Sequence, residues 1–207
     1  MATQTQRVAR IVHPSQTMQK NKRVLTDVLA ALAKVDVGHA LIGGLAVNYY
    51  GNERSTSDVD LLVSKRSAKR ICAELERRGY AVEVHPDMIR LYVPKQEKSV
   101  ADLLWYESHQ ILRAAVSRTV FGIMLGQSVR LVQRGALVAL KYHAAIDAKR
   151  GGRRYQDVAD IDSVLTKQFG PADEKLAVSL AEKIYPGGGE GLVRFLDDLR
   201  HGRQITI

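Results

Sequence analysis

The chain has 207 residues, 45% of them apolar, enough for one domain with a substantial core, and it carries no low-complexity tract. Lys and Arg number 31 against 22 Asp and Glu, a net charge of +9 that points to RNA, DNA or a nucleotide ahead of a membrane surface. The single Cys72 excludes an internal disulfide and suits a reducing cytoplasm; the polar opening lacks the apolar run of an export signal, and no segment is long and apolar enough to span a membrane.

In chain order, residues 1–16 read as an arm ending in His13-Pro14-Ser15. Leu25, Val28, Leu29 and Leu32 then fall at i, i+3, i+4 and i+7, which predicts a one-faced helix over Thr17–Lys34. A short buried strand over His39–Ile42 is followed by Gly43-Gly44 and a short helix, Leu45–Tyr50. The segment from Arg54 to Val63 reads as a strand in which Thr56, Asp58, Asp60 and Leu62 share one face. Ser64 is the expected N-cap of a helix that buries Ala68, Ile71, Cys72 and Leu75 and stops at Gly79. Three short strands follow, over 80–85, 88–93 and 99–105, with turns at Pro86-Asp87 and Pro94-Lys95. A short helix over 109–115 and a hairpin through Gly126-Gln127 lead into four helices, about 134–149, 154–168, 173–185 and 189–200. The expected organisation is α+β: an N-terminal arm and helix (1–35), a mixed-sheet core (36–132) and a C-terminal helical region (133–207).

The chemistry concentrates in a few places. Asp58 and Asp60 stand side by side at the start of an apolar strand, either as a solvated strand end or as a pair that shares a divalent cation. Gly43-Gly44, at a strand-to-helix turn, is either tight packing or a phosphate cradle at a helix N-terminus. No P-loop Lys and no third Rossmann glycine accompanies it. Asp102, inside Val100-Ala101-Asp102-Leu103-Leu104-Trp105, is costly to bury unless it meets a cation or a donor. Lys141 has Leu137, Val138, Ala144 and Ala145 around it on its helix, so it either snorkels or projects toward an anion.

Asp157 and Asp160 lie one helical turn apart, with Arg153 and Arg154 placed to neutralise Asp157. They read either as a surface ion-pair ladder or as a cluster that holds Lys141. Lys149, Arg150, Arg153 and Arg154 are candidate phosphate contacts, whereas the basic helix around Lys65, Arg66, Lys69, Arg70, Arg77 and Arg78 reads as a solvated face. The six histidines are scattered without cysteine company, and no Gly-x-Ser-x-Gly is present, so neither a zinc site nor a hydrolase elbow is indicated.

Taken in this order, Gly43-Gly44, then Asp58-Val59-Asp60, then Asp102 resembles the DNA polymerase β-like nucleotidyltransferase superfamily. Gly43-Gly44-Leu45-Ala46, Arg54-x-Thr56-x-Asp58-Val59-Asp60 and the late Leu140-Lys141, Arg154 and Asp157-x-x-Asp160 are similar to the AbiEii/AbiGii-type toxin group, over about residues 36–168. The resemblance implies a polymerase β-like palm and NMP transfer from an NTP with Mg²⁺, or Mn²⁺ in its place. It further implies an RNA acceptor, chiefly tRNA, and a cognate antitoxin protein as partner.

Carried over by position, it implies triphosphate contacts from Gly43, Gly44, Thr56, Ser57, Lys141, Arg154 and Asp157. Asp58, Asp60 and Asp102 would bind metal, and Asp58, Asp60, Asp102, Lys141 and Asp160 would form the catalytic set. Two alternatives stand beside a tRNA-modifying toxin. One is a nucleotidyltransferase acting on small molecules of the antibiotic kind, and the other is a non-catalytic binding module on the same scaffold. The aromatic, polar loop Asn48–Glu53 departs from the pattern, so a base preference does not carry over.

Overall fold

The structure is a computed structural model that describes residues 15–205, so most of the expected N-terminal arm lies outside the described residues. Helix α1 (Gln16–Lys34) starts where Ser15 accepts the Met18 N–H at 3.2 Å, and it buries Val24, Leu25, Val28 and Leu32. Strand β1 (His39–Leu41) leads into α2 (Gly43–Tyr50) and β2 (Val59–Val63). Ser64, the expected cap, accepts the Arg66 N–H and opens a single 3-10 turn, with α3 (Ala68–Arg77) following. Strands β3 (Ala81–Val84), β4 (Met88–Tyr92) and β5 (Ala101–Trp105) precede α4 (Gln110–Val116) and the hairpin β6 (Thr119–Met124) and β7 (Gln127–Val132). Helices α5 (Arg134–Ile146), α6 (Arg153–Leu165), α7 (Pro171–Ala181) and α8 (Gly188–Arg200) complete the chain.

The seven strands form one mixed sheet in the order β3-β4-β5-β2-β1-β7-β6. β2 is parallel to β5 and antiparallel to β1, and β1 is parallel to β7. Strand alternation divides the core. Val59, Leu61 and Val63 join Leu103 and Trp105 on the face covered by α1 and α3. Leu62 joins Ala40 and Val132 on the opposite face, under α2 and the helices from α4 to α8. The C-terminal helices therefore share a core with the sheet, and the carboxylate of Asp60 lies on their side of it. The basic helix α3 lies on the other side.

Two expectations change. Asp58 is not on the strand: pairing with β5 begins at Val59↔Ala101, and β1 is too short to extend the ladder back, so Thr56 and Asp58 sit in the loop that enters β2. Helix α2 begins at Gly43 rather than Leu45, because Gly43 takes the turn itself with φ of 63°.

Candidate active site

The turn at the end of β1 and the loop entering β2 build the site together. A Cβ at Gly43 would overlap the Asp60 carboxylate, and one at Gly44 would overlap the Thr56 side chain. Only glycines let those two groups lie directly on the first turn of α2, where the Gly44 N–H donates to Asp60. The Thr56 hydroxyl in turn donates to Asp58 Oδ1 at 3.3 Å. The loop is held from two helices. Asn21 of α1, 2% exposed, donates its amide to the Thr56 carbonyl at 2.8 Å. Asn48 of α2 exchanges two hydrogen bonds with the Arg54 backbone, at 2.9 and 3.1 Å.

The third carboxylate arrives by strand register. Asp60 pairs with Asp102 across the parallel β2–β5 ladder, and Asp102 pairs with Arg90 across β4–β5. Arg90 Nε stands 3.7 Å from Asp102 Oδ2, while Asp102 Oδ1 is buried without a hydrogen-bond partner among the described residues. Burial, and the negative charge of Asp58 and Asp102 beside it, push the Asp60 carboxyl up to about 7. Burial also raises Asp102, with Arg90 opposing and Asp58 reinforcing the shift. This is a cluster short of positive charge.

Among the described residues no three His, Cys, Asp or Glu side chains close around a metal position by themselves. Mg²⁺ characteristically takes one or two carboxylates together with substrate phosphate oxygens and water, so an open carboxylate cluster is the arrangement a nucleotide-borne cation needs. The unpartnered Asp102 oxygen and the elevated Asp60 carboxyl fit such an ion.

Asp157 and Asp160 do not form a surface ladder. They are 2% and 1% exposed, and between them they hold Lys141, whose Nζ is 2.9 Å from Asp157 Oδ1 and 2.6 Å from Asp160 Oδ2. Arg54 makes a two-pronged contact with Asp160, at 2.5 and 2.8 Å, and Gln156 adds a third donor at 3.0 Å. Burial works to raise the Asp160 carboxyl, but Arg54 and Lys141 outweigh it and hold the group below its ordinary range. The partner of Asp157 beyond Lys141 is Arg150, at 3.0 Å, and not Arg153 or Arg154. Arg154 instead donates to the Ala145 carbonyl at 2.7 Å, tying α6 to α5, and it lines neither part of the cleft. Arg154, expected among the phosphate contacts, is thus engaged through Nε in a bond between helices.

The cleft has two lobes that meet at Asp60, Met88, Leu104, Lys141, Arg150 and Asp157. The polar lobe, about 400 Å³, contains Gly44, Thr56, Ser57, Asp58 and Asp102 with Arg90 and Arg153. The second, about 440 Å³, is more apolar and runs from Gly43 under α4 and α5. It contains His109 and His143, whose rings stack at 4.6 Å with 29° between their planes.

Sequence reasoning assigned no role to Arg90 or to these histidines. Arg90 was visible only as the polar member of an alternating strand, and the histidines are brought together from α5 and the turn before α4. No local pattern joins them.

The α+β architecture and its seven-stranded mixed sheet are those of nucleotidyltransferases of known structure. Residues 24–110, less than half of the chain, match the family model described as aminoglycoside-2″-adenylyltransferase. The solution structure of the antibiotic-resistance factor ANT(2″)-Ia has a TM-score of 0.56 and 14% identity, over 89% of this chain and 99% of that one. The crystal structure of ANT(2″)-Ia in complex with adenylyl-2″-tobramycin gives 0.57 and 15%, over 79% and 98%. An antigenic nucleotidyltransferase-like protein from Paracoccidioides brasiliensis gives 0.55 and 17%, over 86% and 93%. No curated protein matches the chain. No helix of the described residues is long and apolar enough to cross a membrane.

Proposed function

We propose that this chain transfers NMP from an NTP to a hydroxyl of a small molecule of the antibiotic kind, with Mg²⁺ or Mn²⁺ as the accompanying cation. The observation that carries the reading is the set Asp58, Asp60 and Asp102, brought to one lobe by the β2–β5 register beside a glycine helix start. The match of residues 24–110 to an aminoglycoside adenylyltransferase family favours a small acceptor over tRNA, and with it a resistance-type role over that of a toxin with an antitoxin. The placement of α3 supports the same choice, because its basic face lies across the sheet from the carboxylates and offers no RNA track into the cleft.

Asp58 and Asp60 would hold the cation. Bound there with the NTP, it would draw charge from the α-phosphate and from the attacking oxygen. The N–H groups of the α2 first turn that Asp60 does not take, the Thr56 hydroxyl and Arg153 would take the phosphates. Asp102 would accept the proton of the acceptor hydroxyl as the new O–P bond forms and the bond to pyrophosphate breaks. Lys141 is held at the junction of the lobes by Asp157 and Asp160, and its charge stabilises the ionised form of Asp60.

The test is label transfer from each of the four α-³²P NTPs with Mg²⁺ to tobramycin, lincomycin and total bacterial RNA, wild type beside Asp58→Ala. Label on a small molecule, lost in the variant, is the expected result. Label confined to a tRNA-sized band would restore the RNA acceptor, and no label anywhere in a folded protein would leave only a binding role.

A further inference from the structure

The two lobes differ in what they can hold. The polar lobe has the cations and N–H groups that phosphates require, and it contains Asp102, the base proposed for the acceptor hydroxyl. Lys141 and Arg150 line both lobes and are paired with Asp157 and Asp160; the polar lobe adds Arg153, whereas among the described residues the other lobe adds no cation of its own. Its walls are the aliphatic side chains of Leu104, Leu112, Leu137 and Leu140, with the stacked imidazoles set among them. His109 is fixed by its place in the chain: its Nδ1 accepts the Ile111 N–H at 3.3 Å and caps α4. That bond leaves the proton of the neutral ring on Nε2. Its stacking partner His143 projects from α5, two residues after Lys141. An apolar cavity of about 440 Å³ with an aromatic wall and a few polar rim groups suits a flat heteroaromatic ring joined to a sugar.

The geometry points to the apolar lobe as the nucleoside pocket of the NTP, with the stacked His109 and His143 as the wall that receives the base. The inference rests on the proposed use of an NTP, and it assigns specificity to two residues outside the carboxylate set. The base enters on the His side of Asp60, the phosphates pass over the α2 turn, and the acceptor approaches Asp102 from the opposite lobe.

Calorimetric titration of the four Mg²⁺–NTPs and of Mg²⁺–tripolyphosphate, which has no base, separates the contributions. For the tightest NTP, His143→Leu is expected to weaken binding about 10-fold, as loss of one stacking surface does. His143→Phe, which keeps an aromatic ring, retains wild-type affinity. His109→Asn removes the imidazole yet keeps a good N-cap, so it also weakens the NTP about 10-fold without unfolding α4. Tripolyphosphate binding stays unchanged in all three.

Wild-type protein that binds tripolyphosphate as tightly as any NTP would overturn the pocket assignment while leaving the transferase reading intact. So would histidine variants that leave NTP binding unchanged, or that weaken both ligands equally. Wild-type protein that binds neither ligand would overturn both.

Discussion

Replacing Asp60 with Asn separates function from stability most sharply. In the metal-free protein the Asp60 carboxyl stands at about 7, against 3.8 in the unfolded chain, so the folded state binds this proton more tightly. The stability this group contributes is complete below pH 4 and is lost as pH rises toward and through 7. At about 1.4 kcal/mol per pH unit, the loss has a ceiling of about 4 kcal/mol at pH 8. Asn is close to isosteric and its oxygen can still accept the Gly44 N–H, so the substitution removes the charge without opening a cavity.

If half of the ceiling is recovered, about 2 kcal/mol, the melting temperature rises by about 4–8 °C for a chain of this length. The assay is thermal unfolding of wild type and Asp60→Asn at pH 4 and pH 8, in EDTA and in excess Mg²⁺. The variant is expected to melt higher at pH 8 in EDTA and level with wild type at pH 4. Mg²⁺ is expected to raise the wild type at pH 8 and not the variant, which has no transferase activity. An Asp60→Asn protein that melts at or below wild type at pH 8 without metal would refute the charge-frustration argument.

Gly43→Ala forces a side chain onto a backbone with φ of 63° and into the Asp60 carboxylate, so it should lower stability by about 1–3 kcal/mol and abolish transfer, read by melting and label transfer together. Asp160→Ala strands Arg54 and Lys141 without their shared carboxylate and should cost about 3–5 kcal/mol in urea unfolding. Because Asp160 is held below its ordinary range, its contribution is present above pH 4 and disappears as the pH falls through the folded value; Asp160→Asn should lose that segment of the acid-unfolding curve. Asn21→Leu leaves the Thr56 carbonyl without its donor, for about 1–3 kcal/mol, and should raise KM for the NTP more than it lowers kcat, since Thr56 and Asp58 lose their tether.

The order of elements was readable because helices and strands leave their periods in the chain. The spacing of Leu25, Val28 and Leu32 marks α1, and the breaks at Gly79, Pro94 and Gly126 separate the strands. The carboxylates Asp58, Asp60 and Asp102 and the pair Gly43-Gly44 stood out because acids and glycines at those points cost stability that a soluble strand would avoid. Contacts between segments were not readable. The Asp60↔Asp102 register depends on β5 lying parallel beside β2, 42 residues away in the chain, and no local pattern specifies that partner. The same holds for Arg54 on Asp160 and for the stacked histidines. It also explains why Arg154, adjacent to a plausible phosphate cluster, bonds the Ala145 carbonyl instead: a side chain's partner is decided by which helix packs against its own. By itself the sequence determined which residues carry charge near a strand start or a helix turn; the tertiary structure alone decided which of those charges meet, because strand register and helix packing join segments far apart in the chain, and the carboxylates so gathered hold a proton or need a cation.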